Sequence, residues 1–243
     1  MKRFLLALQF LTIIPIKIKT DIKPKDYGRA LLFFPPAGLI IGCLLSLCLV
    51  IFNSTAALVQ AAIIIIVYVF ITGALHLDGF ADTCDGLYAA RTQQQALDIM
   101  RDPRCGVMGV IGLVCFLLFQ FTLLASMPES ILWKSLILMC AFSRWAMAFA
   151  CYRTIYPRKE GKAKFFVENA RVKDIRWGGI FVFFLFLIFG GFSHVAIFIL
   201  ASTVVVGFKK YIEKKMGAMT GDTIGATGEI AQISVLFFTL LVS

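Results

Sequence analysis

Five aspartates between residues 78 and 102 are the side chains of this sequence best suited to chemistry. Asp78, Asp82 and Asp85 are separated by four and then three residues, so a helix would place them on one face. Asp98 and Asp102 repeat the four-residue interval. Like charges at this spacing repel each other on a bare helix by about 0.2–0.5 kcal/mol a pair. The group therefore indicates a site for a divalent cation with oxygen ligands, expected to be Mg²⁺ bound alongside phosphates; a solvated acidic loop is the alternative.

The order of these residues also indicates a reaction type. They resemble, in part, the signature of CDP-alcohol phosphotransferases, through Asp82-x-x-Asp85-Gly86, Arg91 and Asp98-x-x-x-Asp102. Gln94 stands where that signature has a glycine. In such chemistry, metal ions held by carboxylates bridge the oxygens of a diphosphate. A further carboxylate accepts the proton of the attacking hydroxyl, and arginines bind the phosphates through paired hydrogen bonds.

Other polar side chains are candidates for the same site. Arg144 lies two turns inside an apolar run, where an unpaired cation is costly and usually functional; a side chain that snorkels to the interface is the alternative. His76 precedes the aspartates and could orient a phosphate or a carboxylate. Asp222 opens the last apolar run, where an acid is also expected simply as a partner of the helix dipole. Arg158 lies in a basic loop, which by itself is typical of a positively charged membrane flank.

The composition places these side chains in a membrane protein. Of the 243 residues 60% are hydrophobic and only 16% are charged, which excludes an ordinary soluble domain. The net charge of +10 does not indicate a nucleic-acid partner, because in a membrane protein the distribution of Lys and Arg matters more than their sum. The seven cysteines contain no C-x-x-C pair, so a zinc site or a disulfide framework is not expected.

Apolar runs of about 20 residues predict the membrane spans. Five are clear, over residues 31–52, 56–75, 107–127, 131–152 and 224–242. Residues 178–208, with Gly190-Gly191 in the middle, are interpreted as a short hairpin, because this puts 22 of the 24 Lys and Arg residues on one side of the membrane. We predict an all-α, polytopic membrane helix bundle with about seven spans, a short N-terminal interfacial helix and one domain, residues 1–243. The N terminus and the acidic stretch are expected to face the cytoplasm, across the cytoplasmic (inner) membrane of a bacterium or archaeon.

Further blocks resemble the cobalamin synthase family, the adenosylcobinamide-GDP ribazoletransferases. In chain order they are GALHLDGFADTCDGL, ALDIMRDPRCGVMGV, SRWAMA, YPRKEGKAKF and MTGDTIGA, so that the resemblance covers nearly the whole chain. It implies a Mg²⁺-dependent transferase for the final step of cobalamin nucleotide-loop assembly. The 5′-hydroxyl of α-ribazole, or of its 5′-phosphate, would attack the cobinamide-linked phosphate of adenosylcobinamide-GDP. Adenosylcobalamin, or its 5′-phosphate, would form and GMP would leave.

The resemblance also implies roles for single residues. Asp82 and Asp85 are expected to be catalytic as metal ligands, with Asp98 and Asp78 completing the ligand set. Asp102 is the expected general base, by analogy with the last aspartate of the phosphotransferase signature. The candidates for substrate and phosphate contacts are His76, Arg91, Arg101, Arg104, Arg144, Arg158 and Asp222.

The expected partners are the two substrates, the lipid bilayer and, by analogy with related membrane phosphotransferases, a second copy in a homodimer. A phospholipid-forming CDP-alcohol phosphotransferase is one alternative function. A cation transporter lined by carboxylates is another, although transporter sites usually lie near the middle of the membrane rather than at one end of the spans.

Overall fold

The computed structural model describes residues 1–242, which form eleven α-helices and no strand. The predicted all-α architecture is therefore confirmed. The helices are α1 (Lys2–Leu11), α2 (Pro24–Ala30), α3 (Phe34–Ile51), α4 (Ala57–Thr72), α5 (Leu75–Ala89), α6 (Gln93–Ile99), α7 (Val107–Ser126), α8 (Glu129–Ala150), α9 (Lys164–Glu168), α10 (Val172–Met216) and α11 (Gly221–Val242).

Five stretches of helix are long and apolar enough to cross a membrane. They are Pro24–Ile51, which joins α2 to α3, and the helices α7, α8, α10 and α11. Helices α4 and α5 meet this standard only together, as a pair bent by 93°. The bend falls at Gly73 and Ala74, which both have left-handed backbone angles (φ 62° and 55°). The span predicted over residues 56–75 therefore continues, after the bend, into the helix that carries the aspartates.

Helix α10 is a hairpin rather than one continuous rod. Gly191 interrupts it with φ 64° and ψ −150°, a conformation open mainly to glycine. The rings of Phe183 and Phe198 lie 5.7 Å apart, whereas fifteen residues of unbroken helix would separate them by about 22 Å. The two arms thus fold back on each other, as predicted for residues 178–208. With the two arms of α10 counted separately and the bent α4–α5 pair counted once, residues 1–242 contain seven candidate membrane spans.

Helix α8 lies at the centre of the bundle, and most of its residues are buried. Helix α3 packs on it with almost no space between the two backbones. A Cβ atom added to Gly38 would lie 2.3 Å from the carbonyl oxygen of Cys140, and one added to Gly42 would lie 2.6 Å from the Cα atom of Ile137. Small residues at such crossings are typical of membrane helices, whose association depends on close packing.

The N-terminal helices close one end of the bundle. Asp26 of α2 forms ion pairs with Lys2 (2.8 Å) and Arg3 (3.2 Å) of α1. The ring of Phe10, near the end of α1, lies 4.6 Å from that of Phe166 in α9. Helices α1 and α9 therefore meet at the end of the bundle where α3 begins, and Phe10 also reaches the cavity described next.

Candidate active site

A cavity of about 240 Å³ opens where α5, the start of α11 and the loop of residues 151–163 come together. We call it the acidic cavity. Four of the predicted site residues line it, and two further polar side chains, Tyr156 and Lys162, come from the loop. The four predicted residues are His76, Asp78, Arg158 and Asp222. The structure thus brings together residues that lie almost 150 positions apart in the sequence.

Two glycines set the position of α5 against α11. A Cβ atom on Gly79 would lie 2.8 Å from the Cα atom of Asp222, and one on Gly225 would lie 3.2 Å from the Cα atom of His76. The helix backbones are therefore in direct contact at these points. As a result, the acidic face of α5 lies beside the first turn of α11 and its carboxylate.

We predict that Gly79→Ala destabilises the protein, because the added methyl group would force α5 away from Asp222. Overpacking of this kind typically costs about 1–3 kcal/mol. Gly207→Ala is the matched control, since no atom lies within 4 Å of its Cβ position. Thermal unfolding in detergent should show a lower melting temperature for Gly79→Ala alone. Equal melting temperatures for the two variants would contradict the close contact.

An ion pair between the loop and α11 forms one wall of the acidic cavity. Nη2 of Arg158 lies 2.7 Å from a carboxylate oxygen of Asp222 and also donates to the carbonyl oxygen of Met100, at 3.4 Å. Within residues 1–242, Nε of Arg158 is buried without a hydrogen-bond partner. Because a buried N–H group without an acceptor is costly, this donor favours an anionic ligand in the cavity.

The charges around Asp82 favour a cation as well. Three carboxylates, Asp222, Asp78 and Asp85, act on Asp82, against the positive charge of Arg158. Asp78 is exposed and Asp82 is half-buried, so both present their oxygens to a ligand.

The carboxylates at this site fit a metal ion that takes its remaining ligands from water and the substrate. In the described part of the chain, no group of three or more His, Cys, Asp or Glu side chains forms a ready-made metal centre. Mg²⁺ does not need one, because it is usually bound by one or two carboxylates together with water and substrate phosphates. Asp78 and Asp82 are the residues that fit this mode of binding.

Asp85 has a structural partner that the sequence does not reveal. Its two oxygens accept hydrogen bonds from the backbone N–H groups of Gly106 (2.7 Å) and Gly109 (2.8 Å). These groups belong to the first turn of α7, so the buried carboxylate caps that helix and complements its dipole. Its predicted role as a metal ligand stays a prediction.

Asp98 and Asp102 lie outside the acidic cavity. Asp98 is exposed on α6, where Nε2 of Gln94 donates to it at 2.9 Å. Asp102 accepts three hydrogen bonds from Arg104, from the backbone N–H (3.0 Å), Nε (2.9 Å) and Nη2 (2.6 Å). These bonds lower the pKa of Asp102 to about 2. Asp102 shares a second cavity, of about 390 Å³, with Asp85. In this arrangement the expected base is a stably ionised carboxylate.

The remaining basic candidates lie at the rim of the same end of the bundle. Arg91 and Arg101 are exposed in the segments on either side of α6. Arg91 lines a separate cavity together with Lys215 of α10. The charge of Arg101 acts on Tyr156, a residue of the acidic cavity. Arg101 and Arg104 thus add positive charge near Tyr156 and Asp102, respectively.

Arg144 is fully buried in the bundle and does not line the acidic cavity. Its Nη1 donates to the hydroxyl groups of Tyr68 (3.3 Å) and Ser143 (3.0 Å). The Tyr68 hydroxyl donates in turn to Glu229 of α11 (2.8 Å) and accepts from Gln232 (2.7 Å). A side chain buried in this way does not snorkel to the interface. Within residues 1–242 its Nε and Nη2 atoms are buried without a hydrogen-bond partner, and the predicted phosphate contact of Arg144 stays a prediction.

Sequence reasoning missed Tyr68, Tyr156, Lys162 and Gln232, and left Glu229 without a role. A signal was present for Glu229, which follows Asp222 by seven residues and so lies on the same face of α11. Tyr68 is a polar group in a largely apolar run, which is the other visible hint. Nothing in the sequence connects either residue to Arg144.

Known proteins resemble this chain over almost its full length. The family model for cobalamin-5-phosphate synthase matches residues 3–240. A protein of Acetivibrio thermocellus named adenosylcobinamide-GDP ribazoletransferase is 36% identical over 99% of this chain and 97% of its own length. A protein of Acinetobacter baumannii with the same name is 38% identical over 100% of this chain and 98% of its own. No solved structure matches the chain. The match over almost its full length shows that the chain belongs to the cobalamin-5-phosphate synthase family.

Proposed function

We propose that this protein transfers the adenosylcobinamide phosphate group of adenosylcobinamide-GDP to the 5′-hydroxyl of α-ribazole or of α-ribazole 5′-phosphate. Family membership and the names of the relatives support this reaction over lipid synthesis or cation transport. The observation that carries the proposal is the acidic cavity, where carboxylates and a partly unpaired Arg158 meet at one end of the bundle. That combination suits a diphosphate bound with a cation.

In the proposed reaction the ribazole hydroxyl oxygen forms a bond to the cobinamide-linked phosphorus. The bond from that phosphorus to the bridging oxygen breaks, and GMP leaves with the oxygen. Arg158 binds the diphosphate through its free N–H group and so orients the phosphorus for attack. Asp78 and Asp82 would hold Mg²⁺, whose charge would stabilise the negative charge of the leaving phosphate.

The proton of the attacking hydroxyl must pass to a carboxylate. Asp102 is the base expected by analogy, but a carboxylate that accepts three hydrogen bonds from Arg104 is a poor proton acceptor. We therefore propose that substrate binding opens the pair between Asp102 and Arg104 if Asp102 serves as the base.

One assay tests the function and its rivals. Purified protein in liposomes with Mg²⁺, adenosylcobinamide-GDP and α-ribazole should release GMP, and a chelator should stop the release until Mg²⁺ is restored. CDP-diacylglycerol with an alcohol should give no product, and no cation flux should appear. Product from the lipid donor, or flux without GMP release, would replace the proposal with one of the alternatives.

Arg158→Gln should weaken the binding of the diphosphate donor. A hydrogen bond to a charged group contributes about 1.5–3 kcal/mol, so the KM for adenosylcobinamide-GDP should rise roughly 10- to 150-fold. Arg171→Gln is the control, because Arg171 is exposed, pairs with Asp174 and does not line the cavity. Steady-state kinetics in liposomes would measure both. An unchanged KM in Arg158→Gln would remove this residue from the site.

We also propose that the acidic cavity faces the cytoplasm. The support is the positive-inside rule, applied to the 22 of 24 Lys and Arg residues assigned to one side. Cys105 is exposed near the cavity and provides a native label. A maleimide that cannot cross membranes should react with Cys105 in inside-out vesicles and not in intact cells. Labelling in intact cells alone would reverse the orientation. The expected homodimer stays a prediction.

A further inference from the structure

A larger groove lies between the end of α8 and the two arms of α10. Its volume is about 580 Å³, and it shares no lining residue with the acidic cavity. We call it the α8–α10 groove. The transfer reaction described above makes no use of it.

The walls of the α8–α10 groove are apolar and aromatic. Phe149, Phe183 and Phe198 line it, and the indole of Trp145 lies against α10. Trp145 reaches this position because Gly179 has no side chain: a Cβ atom there would lie 2.9 Å from Nε1 of the indole. The same Nε1 donates to the carbonyl oxygen of Ile175, at 3.2 Å, which fixes the ring. The result is a preformed hydrophobic surface that suits a hydrocarbon chain.

Two arginines line the polar end of the groove. Arg153 and Arg176 are exposed there, and within residues 1–242 no carboxylate lies within 4.0 Å of either guanidinium group. Arg153 also has a left-handed backbone (φ 51°), which a non-glycine residue rarely adopts. Such strain is often retained where it positions a side chain for function. The polar end of the groove is therefore positively charged and suits an anionic partner.

The length of the groove matches one leaflet of a bilayer. Along α10, from Val172 at the polar end to Phe183, eleven residues of helix span about 16 Å. The hydrocarbon core of a bilayer is about 30 Å thick, so this is half of it. The positive end lies at the end of the bundle that carries most of the basic residues. An amphiphile with a negative head and one or two acyl chains has this shape and charge.

We propose that the α8–α10 groove binds an anionic phospholipid, with its phosphate at Arg153 and Arg176 and an acyl chain along the aromatic wall. Charge complementarity distinguishes this ligand from a zwitterionic lipid, whose head carries no net charge. The position of the groove, away from the acidic cavity, separates it from the substrates of the transfer reaction.

The test uses Trp145 as a reporter. In a variant with Trp133→Phe and Trp177→Phe, Trp145 is the only tryptophan of the chain. Its fluorescence would be measured in vesicles that contain phosphatidylglycerol or phosphatidylcholine with brominated acyl chains, which quench nearby indoles. At equal mole fractions we expect stronger quenching by brominated phosphatidylglycerol. Arg153→Gln and Arg176→Gln should each lower this preference roughly fivefold, the effect of one basic residue near an anionic lipid surface.

Two controls make the result specific. Lys173→Gln removes a cation from the same arm of α10 that does not line the groove, and it should keep the preference. A variant that retains only Trp133, which lies at the opposite end of α8, should show no preference. GMP release by every variant would confirm that it is folded and would test the transfer reaction separately.

Equal quenching by the two lipids would overturn the proposal, as would a preference that survives both arginine substitutions. Adenosylcobinamide-GDP provides the last test. If it relieves the quenching, the groove belongs to the substrate and not to a lipid. If quenching is unchanged while GMP is released, the lipid assignment stands.

Discussion

Asp82→Asn is expected to slow transfer by a factor of about 10²–10³ and to leave the protein folded. Asp82 is half-buried among three other carboxylates, and its side chain makes no hydrogen bond within the described residues. Loss of its charge therefore relieves repulsion in the free protein but removes a ligand for the cation. Loss of one preorganised electrostatic partner of a transition state typically lowers kcat by about 10²–10³-fold. GMP release and the melting temperature, measured on the same preparation, would test both parts.

Asp85→Ala is the comparison that makes this prediction specific. From the sequence alone, replacing either aspartate should abolish activity at little cost to folding. The structure separates the two, because Asp85 caps α7 through Gly106 and Gly109. Loss of a helix cap costs about 0.5–2 kcal/mol, so Asp85→Ala should melt at a lower temperature. Normal turnover by Asp82→Asn would remove that residue from the metal site.

Arg144→Met should have the largest effect on stability of any single substitution considered for this protein. It would leave Glu229 buried with no positive charge nearby, and removal of one partner of a buried pair typically costs about 3–5 kcal/mol. Arg144 and Glu229 are both fully buried and are joined through the hydroxyl of Tyr68. Thermal unfolding and the yield of folded protein from membranes would measure the loss.

The double variant shows whether the charges are coupled. Arg144→Met combined with Glu229→Gln removes both charges and should recover part of the lost stability. Arg91→Gln is the control, because Arg91 is exposed in a loop and should melt like the unmodified protein. A stable Arg144→Met variant, or a double variant with no recovery, would show that the buried network does not couple these two residues.

Features with a simple physical signature could be predicted from the sequence. Helical spans follow from apolar length, and the α10 hairpin follows from charge placement, because a single long helix would put four lysines on the wrong side. The predicted cluster of Asp78 and Asp82 with Asp222 and Arg158 also assembles in one place. For these residues, the spacing of the aspartates on a helix and the order of the sequence blocks were enough to predict that they lie together.

The other features depend on backbone conformation and on contacts that form only in the folded chain. The bend between α4 and α5 depends on a left-handed Ala74, which no residue preference indicates. The environment of Asp102 depends on a local pair with Arg104. The environment of Arg144 depends on Tyr68, which lies 76 residues away, and on Glu229, which lies in another helix. Partners of this kind become visible only when the bundle is assembled.

The glycine contacts between α5 and α11 also limit how the site can open. Because the two backbones touch at Gly79 and Gly225, neither helix can slide or rotate without the other. Asp78, Asp82 and Asp222 must then move as a rigid unit. The side of the cavity formed by residues 151–163 is a loop. It is held by the ion pair of Arg158 with Asp222 and by a backbone hydrogen bond from Met219 to Ile155, rather than by helix packing. We expect this loop to act as the gate, so its opening sets the rate at which a bulky product can depart.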